Sequence, residues 1–187
     1  MITFVATAYK EHYDPYMFIS SLLLQTNKNW KCIVYCDGYN EHIKNIVTNF
    51  NDERIVYINS ETNTGTWGHF NRLDSLNRLI DTEFFIQTSI QDYYLPNTVD
   101  LILNDSNNFD FIHFNCLHNH INYELLNTTP NIGQIDWGCY AVRTSVGKIV
   151  GINRPDYSGC DGFFAEELMR FPNIRVKKIN KILTIHN

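Results

Sequence analysis

Short apolar runs alternate with amphipathic segments along the first half of the chain. Runs that are apolar throughout are typical of buried strands, and we predict strands at residues 2–6, 30–36, 55–58 and 83–87. Apolar side chains at helical spacing predict helices between them, at residues 14–24, 41–50 and 68–80. Strands that alternate with helices of this length indicate βαβ units and a largely parallel sheet.

The pattern becomes less regular after Asp100. We predict a strand at residues 109–114, an apolar run at 137–142, a helix at 162–170 and a final alternating strand at 176–185. No linker, internal repeat or low-complexity tract interrupts the sequence. The predicted fold class is therefore α/β, with one domain over residues 1–187 and a mixed, mostly parallel central sheet flanked by helices.

The composition of the chain excludes several classes of protein. The 187 residues are 44% hydrophobic and 19% charged, which is typical of one globular domain. A net charge of -5 without a Lys/Arg run argues against nucleic acid as a partner. Five cysteines without Cys-x-x-Cys spacing indicate buried thiols in a reducing compartment. Because neither a signal peptide nor a membrane-spanning segment is visible, we predict a soluble, cytoplasmic protein.

The predicted strand at residues 83–87 leads into Asp92, which stands shortly before a Leu-Pro stop. Open α/β sheets bind ligands outside the carboxyl ends of their strands. A carboxylate at that edge most often holds a divalent cation on the phosphates of a nucleotide. The alternative is a solvated turn aspartate before a proline that starts a helix.

The segment from Ser21 to Gly38 carries a longer pattern. Its sequence, SLLLQTNKNWKCIVYCDG, resembles the opening of the family 2-like, GT-A-fold glycosyltransferases, in which Ser-Leu, Gln-Thr, Trp and a strand-ending Asp-Gly recur at this spacing. Four further landmarks follow in the family's order. The resemblance implies a Rossmann-like GT-A domain that transfers a hexose from a nucleotide-diphosphate sugar, expected to be a UDP-sugar, to a hydroxyl of a glycan or other acceptor. Residues 1–100 would then bind the donor, and residues 101–187 would bind the acceptor and carry catalysis.

The resemblance places the nucleoside pocket after the first two strands. Thr7, Ala8 and Tyr9 would line this pocket. Asp37 would accept the imide N–H of a uracil-like base, because an ionised carboxylate only accepts hydrogen bonds. An ordinary hairpin Asp-Gly is the alternative for Asp37.

Residues 65–72 correspond to a family segment in which a glycine precedes arginine and asparagine beside the nucleotide. The order here is reversed, so either Asn71 or Arg72 is a candidate for donor contact. Gly68, without a side chain, would let phosphate or ribose approach the start of the helix. Gly65 and Trp67 belong to the same predicted donor-binding segment.

The family's acidic motif is reduced in this chain. Aligned on Tyr-Leu-Pro, two of the three expected carboxylates are missing, which leaves Asp92 as a metal ligand and Gln91 as a contact to a sugar hydroxyl. His186 matches a C-terminal histidine that meets the metal in many GT-A proteins, and a terminal residue without a role is the alternative. The expected cofactor is Mn²⁺ or Mg²⁺, and imidazole favours Mn²⁺.

Residues 160–168 resemble the segment that supplies the catalytic base of inverting members. Alignment makes Asp161 the base and Glu166 the alternate, and the analogy predicts inversion of the anomeric centre. Because Asp also favours helix N-caps, a capping role is the alternative for Asp161. Trp137 and Gly138 match the acceptor segment, where the indole offers a flat face to a pyranose and the glycine leaves room beside it. A core tryptophan is the alternative for Trp137.

Three histidines and a cysteine between residues 113 and 120 invite comparison with a metal site. Cys116 with His118 and His120 does not have a zinc-binding spacing. We therefore assign His113 to a strand, and His118 and His120 to a loop near the acceptor side.

Two questions about the whole protein stay open in the sequence. A catalytically degenerate protein that binds a carbohydrate or a nucleotide sugar is the alternative to an enzyme. The small number of residues beyond the core after residue 100 favours an open acceptor site, or one that a partner chain completes, as in a homo-oligomer.

Overall fold

A computed structural model describes residues 1–9 and 14–187 of the chain, so Lys10, predicted to end the loop after the first strand, lies outside the described residues. Within those two ranges, nine strands form one sheet and six α-helices pack on it. The strands are β1 (Ile2–Ala8), β2 (Trp30–Cys36), β3 (Ile55–Asn59), β4 (Phe84–Ser89), β5 (Tyr93–Tyr94), β6 (Phe111–His118), β7 (Glu124–Leu126), β8 (Tyr140–Arg143) and β9 (Val176–His186). The helices are α1 (Tyr16–Leu23), α2 (Glu41–Asn49), α3 (His69–Arg78), α4 (Thr98–Asp105), α5 (Thr144–Val150) and α6 (Cys160–Arg170).

The strand order across the sheet is β3-β2-β1-β4-β8-β6-β9-β5, and β7 pairs with β6. Strands β1 to β4 pair in parallel, as do β6 and β9, whereas β8 runs antiparallel to β4 and β6. The predicted fold class, a mixed and mostly parallel sheet flanked by helices, is confirmed. In this topology the carboxyl ends of β1, β2, β4, β6 and β9 lie at the same edge of the sheet.

The period-two alternation of the strands divides the apolar core into two layers. In β1, Phe4 and Ala6 face the cluster that contains α1, α2 and α4. Val5 points to the other face, against the cluster that contains α3, α5 and α6. Burial of a side chain such as Phe4 stabilises the fold by roughly 1.5–3 kcal/mol. The apolar layers on both faces therefore stabilise the sheet.

Strand β6 differs from its prediction because it continues beyond residue 114. The polar residues that interrupt the apolar pattern are paired in the interior: the Asn115 side chain accepts a hydrogen bond from the Thr128 N–H at 3.2 Å. The strand therefore ends at His118, and the assignment of this histidine to a loop is wrong. His113 lies in the strand as predicted, and the predicted run at 137–142 is a 3-10 turn at Trp137–Cys139 followed by β8.

The pairing of β6 with β9 changes register partway along. Phe114 lies opposite Ile179, but Cys116 lies opposite Thr184 because β9 carries extra residues in an irregular, bulged segment. His118 is consequently paired with His186. On its other side β9 pairs with β5, so His186 also comes next to the segment that precedes Tyr93.

Helix α6 packs closely on the loop at residues 129–134 through Gly162. A Cβ at Gly162 would lie 2.4 Å from the Cα and 2.9 Å from the backbone N of Ile132, and backbone atoms cannot swing aside. We expect Gly162→Ala to lower the free energy of unfolding by about 1–3 kcal/mol, because overpacking outweighs the gain in helix propensity. Urea denaturation would measure the loss.

Ser145→Ala, at an exposed position of α5, is the matched control and is expected to stay within about 0.5 kcal/mol of the parent. Equal unfolding free energies for Gly162→Ala and Ser145→Ala would contradict this account of the helix–loop contact.

Candidate functional site

A cleft of about 460 Å³ opens at the edge of the sheet where the parallel strands end. Seven of the residues singled out from the sequence line it: Tyr9, Trp67, Arg72, Gln91, Trp137, Asp161 and His186. Residues that were not predicted line it too, among them His69, Asp136 and Ser158, together with His120, which was expected near the acceptor side. The topology thus brings groups that are far apart in sequence into one cavity.

Asp161 lies in the first turn of α6 and reaches the cleft. Its Oδ1 accepts a hydrogen bond from the Gly162 N–H at 2.7 Å, and its backbone carbonyl accepts one from the Tyr140 hydroxyl at 3.1 Å. Burial raises the pKa of the Asp161 carboxyl to about 7, the negative charge of Asp136 adds to this, and Arg72 opposes it. A carboxyl with this pKa can give up or take a proton near neutral pH, which suits a general base.

Glu166, the alternate base, is not brought to the cleft. Its carboxylate accepts a hydrogen bond from the backbone N–H of Ile132 at 3.0 Å and lies 3.4 Å from the Arg170 guanidinium. It lines a separate surface depression with Met169 and Arg170. Of the two acidic residues that were candidates for the catalytic base, Asp161 is the one that borders the cleft.

Asp92 is buried beneath the cleft and does not line it. The side chain is 1% exposed, and its oxygens are engaged by the Thr88 hydroxyl, by the Ser89 N–H at 3.0 Å and by His186 Nδ1 at 2.7 Å. Both oxygens of this carboxylate are engaged within the protein, and Asp92 is not among the residues that line the cleft, where a direct metal ligand was expected. It holds the His186 ring instead.

Beside His186, Asp136 and His118 complete a cluster in which Asp136 and His186 line the cleft and His118 lies next to both. Asp136 Oδ2 lies 3.9 Å from His118 Nε2, and the ring centroids of His118 and His186 lie 4.4 Å apart. One ligand atom from each of the three residues lies within 4.8 Å of the other two. Two imidazoles and one carboxylate at this separation fit a divalent transition-metal ion, so the residues present are suited to the metal that the sequence predicts.

The charges in this cluster are strongly coupled. Burial alone would lower the pKa of His186, but the hydrogen bond to Asp92 and the charges of Asp136 and Asp92 outweigh it and raise that pKa to about 10. Burial would raise the pKa of Asp136, but His118, His186 and the Gly138 N–H hold it below the usual range for a carboxyl. The negative charges of Asp92 and Asp136 therefore favour a positive charge at His186, either as a proton on its ring or as a bound cation.

Arg72 lies under the cleft and joins two of its walls. Its Nη1 donates to the Trp67 carbonyl at 2.7 Å and its Nη2 to the Thr88 carbonyl at 2.9 Å. Burial lowers the pKa of the guanidinium, and the charges of Asp136, Asp92 and Asp161 oppose that shift. Asn71, the neighbouring candidate, is buried and does not line the cleft.

Asp37 borders a second, smaller cavity of about 120 Å³, together with Ala8, Tyr9 and Asn63. Its carboxylate accepts hydrogen bonds from the Thr64 N–H at 2.9 Å and from the Gly65 N–H at 3.0 Å. Asp37 therefore fastens the loop that leads to α3. Asp37, Ala8 and Tyr9, which were predicted to contact the nucleoside, thus lie together at this cavity, and Tyr9 borders both cavities.

Gly68 begins α3 in the left-handed region, with φ 74°. A Cβ there would lie 2.8 Å from the Thr7 Cβ, so the space beside this glycine is filled by Thr7. Gly68 was expected to leave space for phosphate or ribose. In the structure the absence of a side chain at Gly68 instead lets α3 approach β1, and the buried Thr7 packs against Gly68.

The two tryptophans of the predicted site differ in exposure. Trp137 is 3% exposed and packs among core aromatic rings, which favours the core alternative, although its edge borders the cleft. Trp67 is 46% exposed and stands at the cleft with φ 50°, a backbone conformation that is costly for a bulky residue. At Gly138 a Cβ would lie 2.7 Å from Asp92 Oδ2, so this glycine makes room for the carboxylate and not for a sugar.

The sequence analysis missed His69, His118 and Asp136 as residues of the site. His69 is buried, and burial lowers the pKa of its imidazole to about 3, so the ring is neutral at physiological pH. Asp136 stands next to the segment that was singled out for its tryptophan, and it carries a carboxylate at the start of an apolar run. That feature was a usable signal, whereas nothing local in the sequence connects His118 to His186.

Comparison with known proteins bears on the fold. No protein-family profile matches the chain, and no curated protein matches it. Solved structures of glycosyltransferases do match it along its whole length, and the protein has their GT-A-like fold. None of the helices in the described ranges has the length and apolar character needed to cross a membrane.

Three of these structures illustrate the similarity. TarS residues 1–349 from S. aureus has a TM-score of 0.81 at 16% identity, over 100% of this chain and 60% of that one. The mannosyltransferase PcManGT from Pyrobaculum calidifontis, in complex with GDP-Man and Mn²⁺, has a TM-score of 0.69 at 13% identity, over 98% and 56%. GalNAc-T7, with UDP, GalNAc and Mn²⁺, has a TM-score of 0.74 at 10% identity, over 99% and 42%. The chain thus spans about 60% or less of the length of these solved chains.

Proposed function

We propose that this protein is a glycosyltransferase that moves a hexose from a nucleotide-diphosphate sugar, a UDP-sugar, to a hydroxyl group of an acceptor. The observation that carries the proposal is the position of the half-buried Asp161 in a cleft that also contains Arg72 and His186, where desolvation raises the pKa of its carboxyl to about 7. TarS has been solved with UDP and with UDP-GlcNAc, and this supports the choice of a UDP-sugar.

The acceptor hydroxyl must lose its proton as it attacks the sugar. Asp161 is the group placed to take that proton, because its carboxylate borders the cleft and its pKa lies near neutrality. The Gly162 N–H and the Tyr140 hydroxyl hold the residue in place. One carboxylate acting as a base with direct displacement would invert the anomeric centre, and this stereochemistry rests on analogy with the family that the sequence resembles.

The leaving diphosphate gains negative charge during transfer. Arg72 supplies a positive charge beneath the cleft, and its two hydrogen bonds to backbone carbonyls fix the guanidinium before substrate arrives. Mn²⁺ or Mg²⁺ held by His118, Asp136 and His186 would neutralise the diphosphate oxygens. Trp67, exposed at the same cleft, offers a flat face to a sugar or base ring.

The second candidate function is a binding protein without turnover. The observation that favours it is the reduced acidic motif, in which Ser89 and Gln91 stand where carboxylates are expected. The two functions differ in whether the bond between sugar and phosphate is ever broken. The cytoplasmic location, a homo-oligomeric assembly and the division of the chain at residue 100 stay predictions.

A screen of UDP-glucose, UDP-GlcNAc and GDP-mannose, with and without Mn²⁺, tests the proposal. We expect a UDP-sugar at a hundred times its dissociation constant to stabilise the protein by about 2.7 kcal/mol in a thermal-shift assay. We also expect slow release of UDP from that donor, detected by a coupled nucleotide assay. ADP-glucose, which has the same charge, is the control and is expected to have no effect.

Stabilisation without release of UDP, with any acceptor offered, would support the binding protein. No stabilisation by any of the sugar nucleotides would contradict both the glycosyltransferase and a binding protein for nucleotide sugars.

A further inference from the structure

We propose that the cleft contains a preassembled binding site for a first-row transition-metal ion, made by His118, Asp136 and His186, which is filled without a nucleotide and discriminates against Mg²⁺. The resemblance to glycosyltransferases implies a different arrangement, in which a carboxylate of the acidic motif and the nucleotide share the metal. Here the acidic motif contributes no free carboxylate, because Ser89 and Gln91 replace two of them and Asp92 is engaged below the cleft.

Two of the three ligands lie on paired strands of the sheet, and the third lies in a neighbouring turn. His118 ends β6 and His186 ends β9, and the two residues are paired in the register of these strands, with ring centroids 4.4 Å apart. Asp136 stands in the turn before β8, where its Oδ1 accepts the Gly138 N–H at 3.1 Å. A site built on neighbouring strands loses little conformational entropy when it takes up a cation.

Asp92 positions His186 for this role. A carboxylate that accepts the Nδ1–H of an imidazole leaves Nε2 to the metal and fixes the ring orientation. Asp92 Oδ1 lies 2.7 Å from His186 Nδ1, and the Thr88 hydroxyl and the Ser89 N–H hold Asp92 from the other side. The buried aspartate therefore acts through the histidine and touches no ligand itself.

His118 needs one adjustment. Its Nδ1 accepts a hydrogen bond from the His120 N–H at 3.2 Å, while its Nε2 faces Asp136. A cation at Nε2 requires the ring proton on Nδ1, so this long contact to His120 must open on binding. The contact lies at the exposed start of a 3-10 turn, where one weak hydrogen bond can be exchanged for water.

The donor set determines which metals can bind. Mg²⁺ prefers oxygen ligands and retains its water, whereas imidazole nitrogen suits Mn²⁺, Co²⁺ and Zn²⁺. With two nitrogens among three protein ligands, affinity is expected to rise from Mg²⁺ through Mn²⁺ to Co²⁺.

Isothermal titration of the nucleotide-free protein with MgCl₂, MnCl₂ and CoCl₂ tests the proposal. We expect one Mn²⁺ per chain, bound at least about tenfold more tightly than Mg²⁺. Asp136→Asn, His118→Ala and Asp92→Asn should each weaken Mn²⁺ binding by about 10–100-fold, the last through loss of the negative charge beside the His186 Nδ1–H. His42→Ala, on the exposed face of α2, is the matched control and should bind Mn²⁺ like the parent.

Electron spin-echo modulation of bound Mn²⁺ counts nitrogen ligands directly, and the count in the parent requires no variant. Two imidazole couplings are expected in the parent and one in His118→Ala. Mn²⁺ binding that requires UDP, equal affinity for Mg²⁺ and Mn²⁺, or one imidazole coupling in the parent would each overturn the proposal. Because these measurements use no sugar nucleotide, a protein that binds Mn²⁺ in this way but neither binds nor cleaves a UDP-sugar would contradict the proposed function alone.

Discussion

Asp161→Asn is expected to reduce glycosyl transfer by about 10²–10⁴-fold while donor affinity stays nearly unchanged. The amide fills the same space and keeps an oxygen to accept the Gly162 N–H, but it cannot take a proton from the acceptor hydroxyl. Transfer would be measured by steady-state kinetics, and donor affinity by calorimetry on the same preparation.

The pH dependence of the parent enzyme provides a second readout of the same residue. Because burial raises the pKa of Asp161 to about 7, the carboxyl is protonated at lower pH and cannot act as a base. We therefore expect kcat/KM to be full above that pH and to fall as the pH drops through it. Glu166→Gln is the matched control, since Glu166 lies outside the cleft, and it should keep both the rate and this acid limb.

Two results would contradict the assignment of Asp161 as base. One is a loss of donor affinity in Asp161→Asn as large as the loss of transfer. The other is an acid limb that disappears in Glu166→Gln.

Asp110→Ala is expected to lower the free energy of unfolding by roughly 3 kcal/mol, the lower end of the range for a broken buried ion pair because Arg175 is half exposed. Asp110 precedes β6 at the end of the sheet opposite the cleft. Its carboxylate accepts hydrogen bonds from Arg143 Nε at 2.9 Å and from Arg175 Nη2 at 2.7 Å. Loss of the carboxylate leaves both guanidinium groups without their shared partner, and chemical denaturation would measure the effect.

This loss should depend on pH. The hydrogen bond from Arg175, and less strongly the one from Arg143, holds the pKa of Asp110 below its usual value. A lowered folded-state pKa contributes stability that is present above the unfolded pKa, about 4, and is lost as the pH falls through the folded value. The difference in thermal midpoint between the parent and Asp110→Ala should therefore shrink in acid.

Asp81→Ala, which breaks an exposed pair with Lys31, is the control and should cost less than about 1 kcal/mol at any pH. Equal losses for Asp110→Ala and Asp81→Ala, or a difference between Asp110→Ala and the parent that grows in acid, would contradict the role given to Asp110.

The first half of the fold could be predicted because its strands and helices are local features. The apolar run of β1 and the helical spacing in α3 are visible in a few consecutive residues, and both elements form close to where the pattern places them. The second half was harder, since β6 continues through Asn115 and His118, whose polar side chains find partners in distant segments. Periodicity does not report such partners.

The position of a site residue could be predicted where a local sequence motif specifies it. It could not be predicted where contacts between distant segments of the chain determine it. The position of Asp161 at the start of a helix beside the cleft follows from a short segment. The burial of Asp92 does not, because it depends on Thr88 and on a histidine far along the chain. Asp136 and His118 carry no shared motif, and their proximity is a property of the assembled sheet alone.

The irregular segment of β9 affects both the redesign of this protein and its alignment with other sequences. If the strand kept the register of its first half, Leu183 and not His186 would face His118. A regular β9 that kept all of its residues would therefore leave an aliphatic side chain where the imidazole belongs. Gap placement in this short segment therefore decides whether another chain is judged to possess the same chemistry.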